Sequence, residues 1–293
     1  MAVEVLLLAA VTIRIISNPI SNVIQKNLTL SLHHPLFVNF LSYLVLSMFS
    51  LFLLPGHSLT DLNSSFWIYS VLSGVAGAFG NAFIIKALEK GDLSVLGPIN
   101  AYKSVIGIIF AFILLGELPN FWGFIGVMLI ITGSYFVLST GQGKFSWSIL
   151  KQPAIKFRIA ALVLTGIQAV FDKKIIQNSD LAMAFVSWCT FGALFSYIIC
   201  LLNGVKPQYY FKGMNRAIAG KYLALCASIA LMTASTNYTF KNMPVGEALA
   251  LFQISILISV FLGYKIFQEQ GLIRKLIGSV IMIAGSLFIL LFK

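Results

Sequence analysis

Residues 117–138 (ELPNFWGFIGVMLIITGSYFVL) and 269–290 (EQGLIRKLIGSVIMIAGSLFIL) repeat one segment at a distance of 152 residues. Eight of the 22 positions are identical, among them Glu117/Glu269, Gly126/Gly278, Gly133/Gly285 and Ser134/Ser286. A spacing of about half the chain predicts a duplicated unit, so any fold must accommodate two copies of one plan. The repeated segment is itself an acid followed by an apolar run long enough to cross a bilayer.

Composition decides the medium. The chain is 59% hydrophobic and 10% charged, where a soluble protein carries about 25% charged residues. Its apolar residues come in runs, not in alternating or heptad patterns, which predicts an all-α integral membrane protein. Ten transmembrane helices are expected, roughly at 3–25, 35–54, 66–87, 94–115, 119–139, 157–177, 181–202, 218–240, 245–266 and 271–292. The breaks carry the residues at which helices stop, such as His-His-Pro at 33–35, Leu-Pro-Gly at 54–56 and Asn-Met-Pro at 242–244. This divides the chain into a first five-helix repeat (1–140), a linker (141–156) and a second five-helix repeat (157–293). Five is odd, so the second copy enters from the opposite side. The repeats are then inverted, the arrangement that supplies two gates around one central site.

The net charge of +11 does not point to nucleic acid, because the basic residues flank spans where anionic lipid meets the protein. Fourteen Lys and Arg lie at one membrane face, the face of the linker, and four at the face of the termini. The positive-inside rule places the linker face in the cytoplasm and the termini outside it. Cys189, Cys200 and Cys226 sit in apolar runs without a metal-ligand or disulfide spacing.

The stretch 87–138 resembles the end of a unit of the EamA-type family, in the drug/metabolite transporter superfamily. The features are Gly91, Pro98, Gly116-Glu117, Gly126 and Gly133, and the second copy keeps Pro244, Glu269, Gly278 and Gly285. It departs with Ala250 for Pro98 and Gln268 for Gly116. The resemblance implies a ten-helix transporter of small metabolites, often an exporter, driven by exchange or a proton gradient. It implies a cavity lined by helices 1–4 and 6–9, peripheral helices 5 and 10, and cytoplasmic termini, the last against the charge rule.

Ionisable groups at membrane depth cost about 2.5–3.5 kcal/mol each on insertion scales, so each is a functional candidate. Arg14, Asn18 and Asn22 recur every four residues and form one polar stripe on the first span. Asn100 and Lys103 lie in the fourth span, where Gln253 is the matching polar residue of the second repeat. Asn81, with Thr233 opposite it in the duplication, and Asn237 add hydrogen-bonding capacity. Trp188 and Tyr102 are candidates to stack on a substrate ring or cation. Asp172 and Glu247 are candidate coupling or gating acids, each able to pair with Arg14 or Lys103 in one gate state. Glu247 also fits an ordinary helix-start acid.

No GxSxG, HExxH or phosphate-binding loop occurs, so no catalytic set, cofactor or metal is expected. The expected function is secondary active transport of a small polar or amphipathic metabolite by alternating access. The expected partners are that solute, membrane lipid, and a proton or exchanged solute, in the inner cell membrane. The competing class is a membrane subunit or lipid-acting enzyme that transports nothing.

Overall fold

The computed structural model describes residues 2–30, 33–103, 105–106, 121–138, 151–212 and 214–291. Among these, the regular structure is entirely helical. The helices are α1 (Ala2–Leu30), α2 (Pro35–Ser50), α3 (Ser64–Lys90), α4 (Leu93–Leu96), α5 (Phe121–Leu138), α6 (Pro153–Gln177), α7 (Leu181–Leu202) and α8 (Arg216–Asn242). After these come α9a (Val245–Phe252), α9b (Ser255–Phe267) and α10 (Leu272–Leu291). Nine segments of the described residues are long and apolar enough to span a bilayer, α9a and α9b counting as one. The expected fourth span begins at α4, and most of its remainder, with Gly116 and Glu117, lies outside the described residues.

The polar breaks work as caps. Asn63, Asp180 and Asn215 each accept a hydrogen bond from the backbone N–H three residues on, at 2.8, 2.9 and 2.9 Å. His34 caps α2 through Nδ1, with Pro35 at the first helical position. His33 is buried, and its Nδ1 lies 3.1 Å from Tyr222 Oη. Burial lowers its pKa below the usual imidazole value.

Contacts between the halves follow the duplication. Helices α5 and α10 run antiparallel in glycine-to-glycine contact. A methyl group placed on Gly126 would come within 2.6 Å of Gly285 O, and one on Gly133 within 2.6 Å of Gly278 O. Close backbone approach through small residues is how helices associate where lipid removes the hydrophobic drive between them. Helix α3 lies antiparallel to α6, with Gly80 against Thr165 and Gly77 against Gln168. Its counterpart contact is α1 with α8, where Ser228 Oγ donates to Ser17 O at 3.0 Å.

The fourth span and the ninth are both interrupted. After α4, Gly97 and Pro98 lead into a 3-10 turn over Pro98–Ala101. The second interruption falls at Gln253 and Ile254, between α9a and α9b. Subtracting the 152-residue offset puts these two positions at Ala101 and Tyr102, so the breaks occur at nearly matching depth. They meet: Gln253 Nε2 donates to Asn100 O at 3.3 Å. Interrupted helices at membrane depth are tolerated where their freed backbone groups are bonded or line a cavity.

Candidate functional site

A cavity of about 140 Å3 opens between the halves. Arg14, Asn18 and Asn22 of α1 line one wall, as their four-residue spacing requires. Asn81 of α3, with Asn100 and Lys103 beside the first helix break, lines a second wall. From the other half come Asp172, Trp188, Thr233 and Asn237. The structure therefore brings nine of the eleven candidate site residues to one chamber.

The other two lie elsewhere. Gln253 does not line the chamber; it is buried and ties the two breaks together. Glu247 is exposed in the first turn of α9a, where an acid complements the helix dipole. Tyr102, a stacking candidate beyond these eleven, also turns away, because its Oη donates to Ser134 Oγ on α5 at 2.8 Å. Trp188 stands in the wall, tilted against Tyr43 with ring centroids 4.7 Å apart.

Asp172 sits where α6 meets α3. Ser73 Oγ donates to Asp172 Oδ1 at 2.5 Å and Gln168 Nε2 to Asp172 Oδ2 at 3.3 Å. Neither Arg14 nor Lys103 pairs with Asp172 or Glu247 in this conformation; the acid is satisfied by neutral donors. Asn81 bonds the Tyr43 hydroxyl. Arg14 holds its guanidinium over the Phe252 ring, 4.9 Å from the centroid, at the second break.

Several cavity residues carry no sequence signal of their own. Arg158 is 5% exposed and donates from Nε to Leu96 O at 2.8 Å. It reads as an interfacial cation at the start of an apolar run, but α6 begins at Pro153 and carries it inward. Its target is the carbonyl freed by the first break, where the helix cannot supply an acceptor's usual donor. Asn39 and Tyr43 of α2 also line the cavity. Asn39 Nδ2 reaches Ala78 O and Ser196 Oγ, at 3.1 and 3.0 Å, through contacts distant in sequence.

Just beyond Asn22, toward the linker face, the repeated glutamate shows its use. Glu269 is buried and accepts from Lys26 Nζ, Leu93 N and Ser94 N, each at 2.8 Å. Lys26 Nζ also donates to Gly91 O at 2.8 Å, and Lys275 Nζ to Ser94 Oγ at 2.7 Å. Burial alone would raise the Glu269 carboxyl, but the Lys26 ammonium and the Ser94 groups hold it below the usual glutamate value. The second half thus braces the start of the first half's broken helix.

The comparisons agree with this geometry. A profile of the EamA-like transporter family matches residues 5–139 and again residues 152–291. An archaeal protein of Methanothermobacter thermautotrophicus, named "Uncharacterized transporter", is 24% identical over 181 residues. That alignment covers 61% of this chain and 51% of the relative, so it spans about half the relative's length. A solved structure, titled "Crystal structure of protein", superposes with a TM-score of 0.64 at 13% identity. It covers 99% of this chain and 97% of its own, which speaks to the fold alone. With nine span-length helices among the described residues, two broken helices meeting beside a polar chamber, and the family profile matching almost the whole length, the chain is a multi-pass membrane protein of the EamA-like transporter family.

Proposed function

We propose that the chain is a secondary active transporter that holds a small polar or amphipathic metabolite in this cavity and exposes it alternately to each side of the membrane. The observation that carries the reading is the meeting of two helix breaks beside a polar chamber lined from both halves. Interrupted helices at the interface of inverted repeats are where secondary transporters bind their cargo. The two profile matches and the reciprocal glycine contacts support two inverted five-helix repeats, 1–140 and 157–293, joined by the linker 141–156. The excess of Lys and Arg at the linker face supports a cytoplasmic linker and termini outside the cytoplasm.

In this reading Arg14, Asn18, Asn22, Asn81, Asn100, Lys103, Trp188 and Asn237 contact the cargo, and Gln253 positions the breaks. Asp172 is the coupling group, since it is the one acid among the described cavity residues and only neutral donors hold it. Glu247 keeps the dipole role. Proteoliposomes test this directly. Solute counterflow by the native protein should respond to an imposed pH gradient, and Asp172→Asn should abolish that response while leaving exchange at equal pH. A solute that binds the purified protein and never crosses the bilayer would favour a non-transporting membrane subunit instead.

A further inference from the structure

We infer that the cargo is a small organic anion, carrying a carboxylate or phosphoryl group that sits among Arg14, Lys103 and Arg158. This deepens the transporter reading and rests on it. Among the described residues, three cations line the cavity against one acid, Asp172. None of the four forms an ion pair within 4.0 Å among the described residues.

The three cations line one chamber, where an anion would complement them. Arg14 is fixed over Phe252, yet its Nε and Nη1 are buried and have no acceptor among the described residues. A buried donor without an acceptor is costly, and a charged one more so. Arg158 donates from Nε to Leu96 O, which anchors the guanidinium of a residue that lines the chamber. The Lys103 side chain lines the same chamber as both guanidinium groups. Asp172 lies within 4.0 Å of none of them; Ser73 and Gln168 donate to its oxygens instead. Like charges gathered in a low-dielectric chamber repel strongly, and an anion bound among them removes that repulsion. Arginine recognises carboxylate and phosphoryl oxygens through paired N–H groups, which fits either chemistry. The lining also includes Tyr43, Trp188 and Met232, an apolar surface that an inorganic ion would not use and a carbon skeleton would.

The experiment measures the thermal unfolding midpoint of the full chain in uncharged detergent. Succinate and glycerol 3-phosphate are compared with succinamide and glycerol at equal ionic strength. Each anion at saturation should raise Tm by about 5 °C or more, and its neutral counterpart should not. Without ligand, Lys103→Gln should unfold about 2–4 °C higher than the native protein, because it removes a repelled charge, and it should respond less to the anions. Arg14→Gln should lose the anion response as well, which guards against a folding defect confined to one variant. Equal shifts from anions and neutral counterparts would overturn the inference. So would stabilisation by phosphatidylglycerol with the soluble anions inert, because the cations would then serve lipid headgroups. Flux of a neutral or cationic solute in proteoliposomes, with anions inert, would sink this inference and leave the transporter reading standing. Anion binding without any flux would overturn the transporter reading, and the cargo assignment with it, leaving an anion-binding chamber in a non-transporting membrane protein.

Discussion

The α5–α10 seam and the central cavity follow opposite rules. In the seam the glycine contacts are answered by their duplicates: Gly126 meets Gly285 and Gly133 meets Gly278, and these are matching positions of the two copies. In the cavity no charge is answered. The residues 152 positions away from Arg14, Lys103, Arg158 and Asp172 are Gly166, Ser255, Leu6 and Ile20. Duplication thus supplied a framework that packs against itself, where a change on one side damages both. The unpaired charges lie where the two copies differ. Glu269 belongs to the framework despite its charge, since its carboxylate is used up on Lys26 and the α4 backbone.

Substitutions separate the two regions. The largest loss should follow Glu269→Ala, which leaves Lys26 buried without its counter-charge and frees two backbone donors. Breaking a buried pair this way costs about 3–5 kcal/mol, read as a fall in the unfolding midpoint. The same contact sets an acid limit. Because the folded carboxyl titrates below the usual 4.5, its stabilisation is complete above that value and is lost as pH falls through the depressed one. Glu269→Gln should flatten that part of the pH–stability profile.

A smaller loss should follow Gly133→Ala in the seam. The added methyl meets Gly278 O at 2.6 Å, and overpacking of this kind costs about 1–3 kcal/mol. If the seam is framework alone, the variant should keep the full anion-induced midpoint shift from its lower starting point. A variant that unfolds early and also ignores anions would show that seam and cavity are one cooperative unit.

The smallest effect belongs to Gln253→Ala, at the point where framework and chemistry touch. Losing its single long bond to Asn100 O should cost about 0.5–1.5 kcal/mol. Exchange rates should change more than anion affinity, because the two breaks lose their connection while the three cations stay.

Much of this was legible in the sequence, and for identifiable reasons. Arg14, Asn18 and Asn22 announced a cavity wall because helical spacing puts them on one face, whatever their neighbours. Turn residues marked the breaks because caps are local chemistry. Arg158 was not legible: five residues from a helix start, a cation looks interfacial, and only the partner carbonyl of Leu96, 62 residues back, shows otherwise. Gln253 and Tyr102 were assigned to the chamber on depth, and depth leaves the direction of a side chain open. Glu269 was visible as a repeated letter, but its partners Lys26 and Ser94 are brought to it only by the fold.

The double duty of Arg158 has a consequence for how such a protein can change over generations. Lys103 and Arg14 can be exchanged singly, each for a neutral residue, and the lineage can drift toward uncharged cargo. Arg158 cannot be discarded by one substitution, because the Leu96 carbonyl would be stranded in the membrane interior. A descendant with new specificity would therefore inherit one positive charge it no longer needs, and would have to evolve around it.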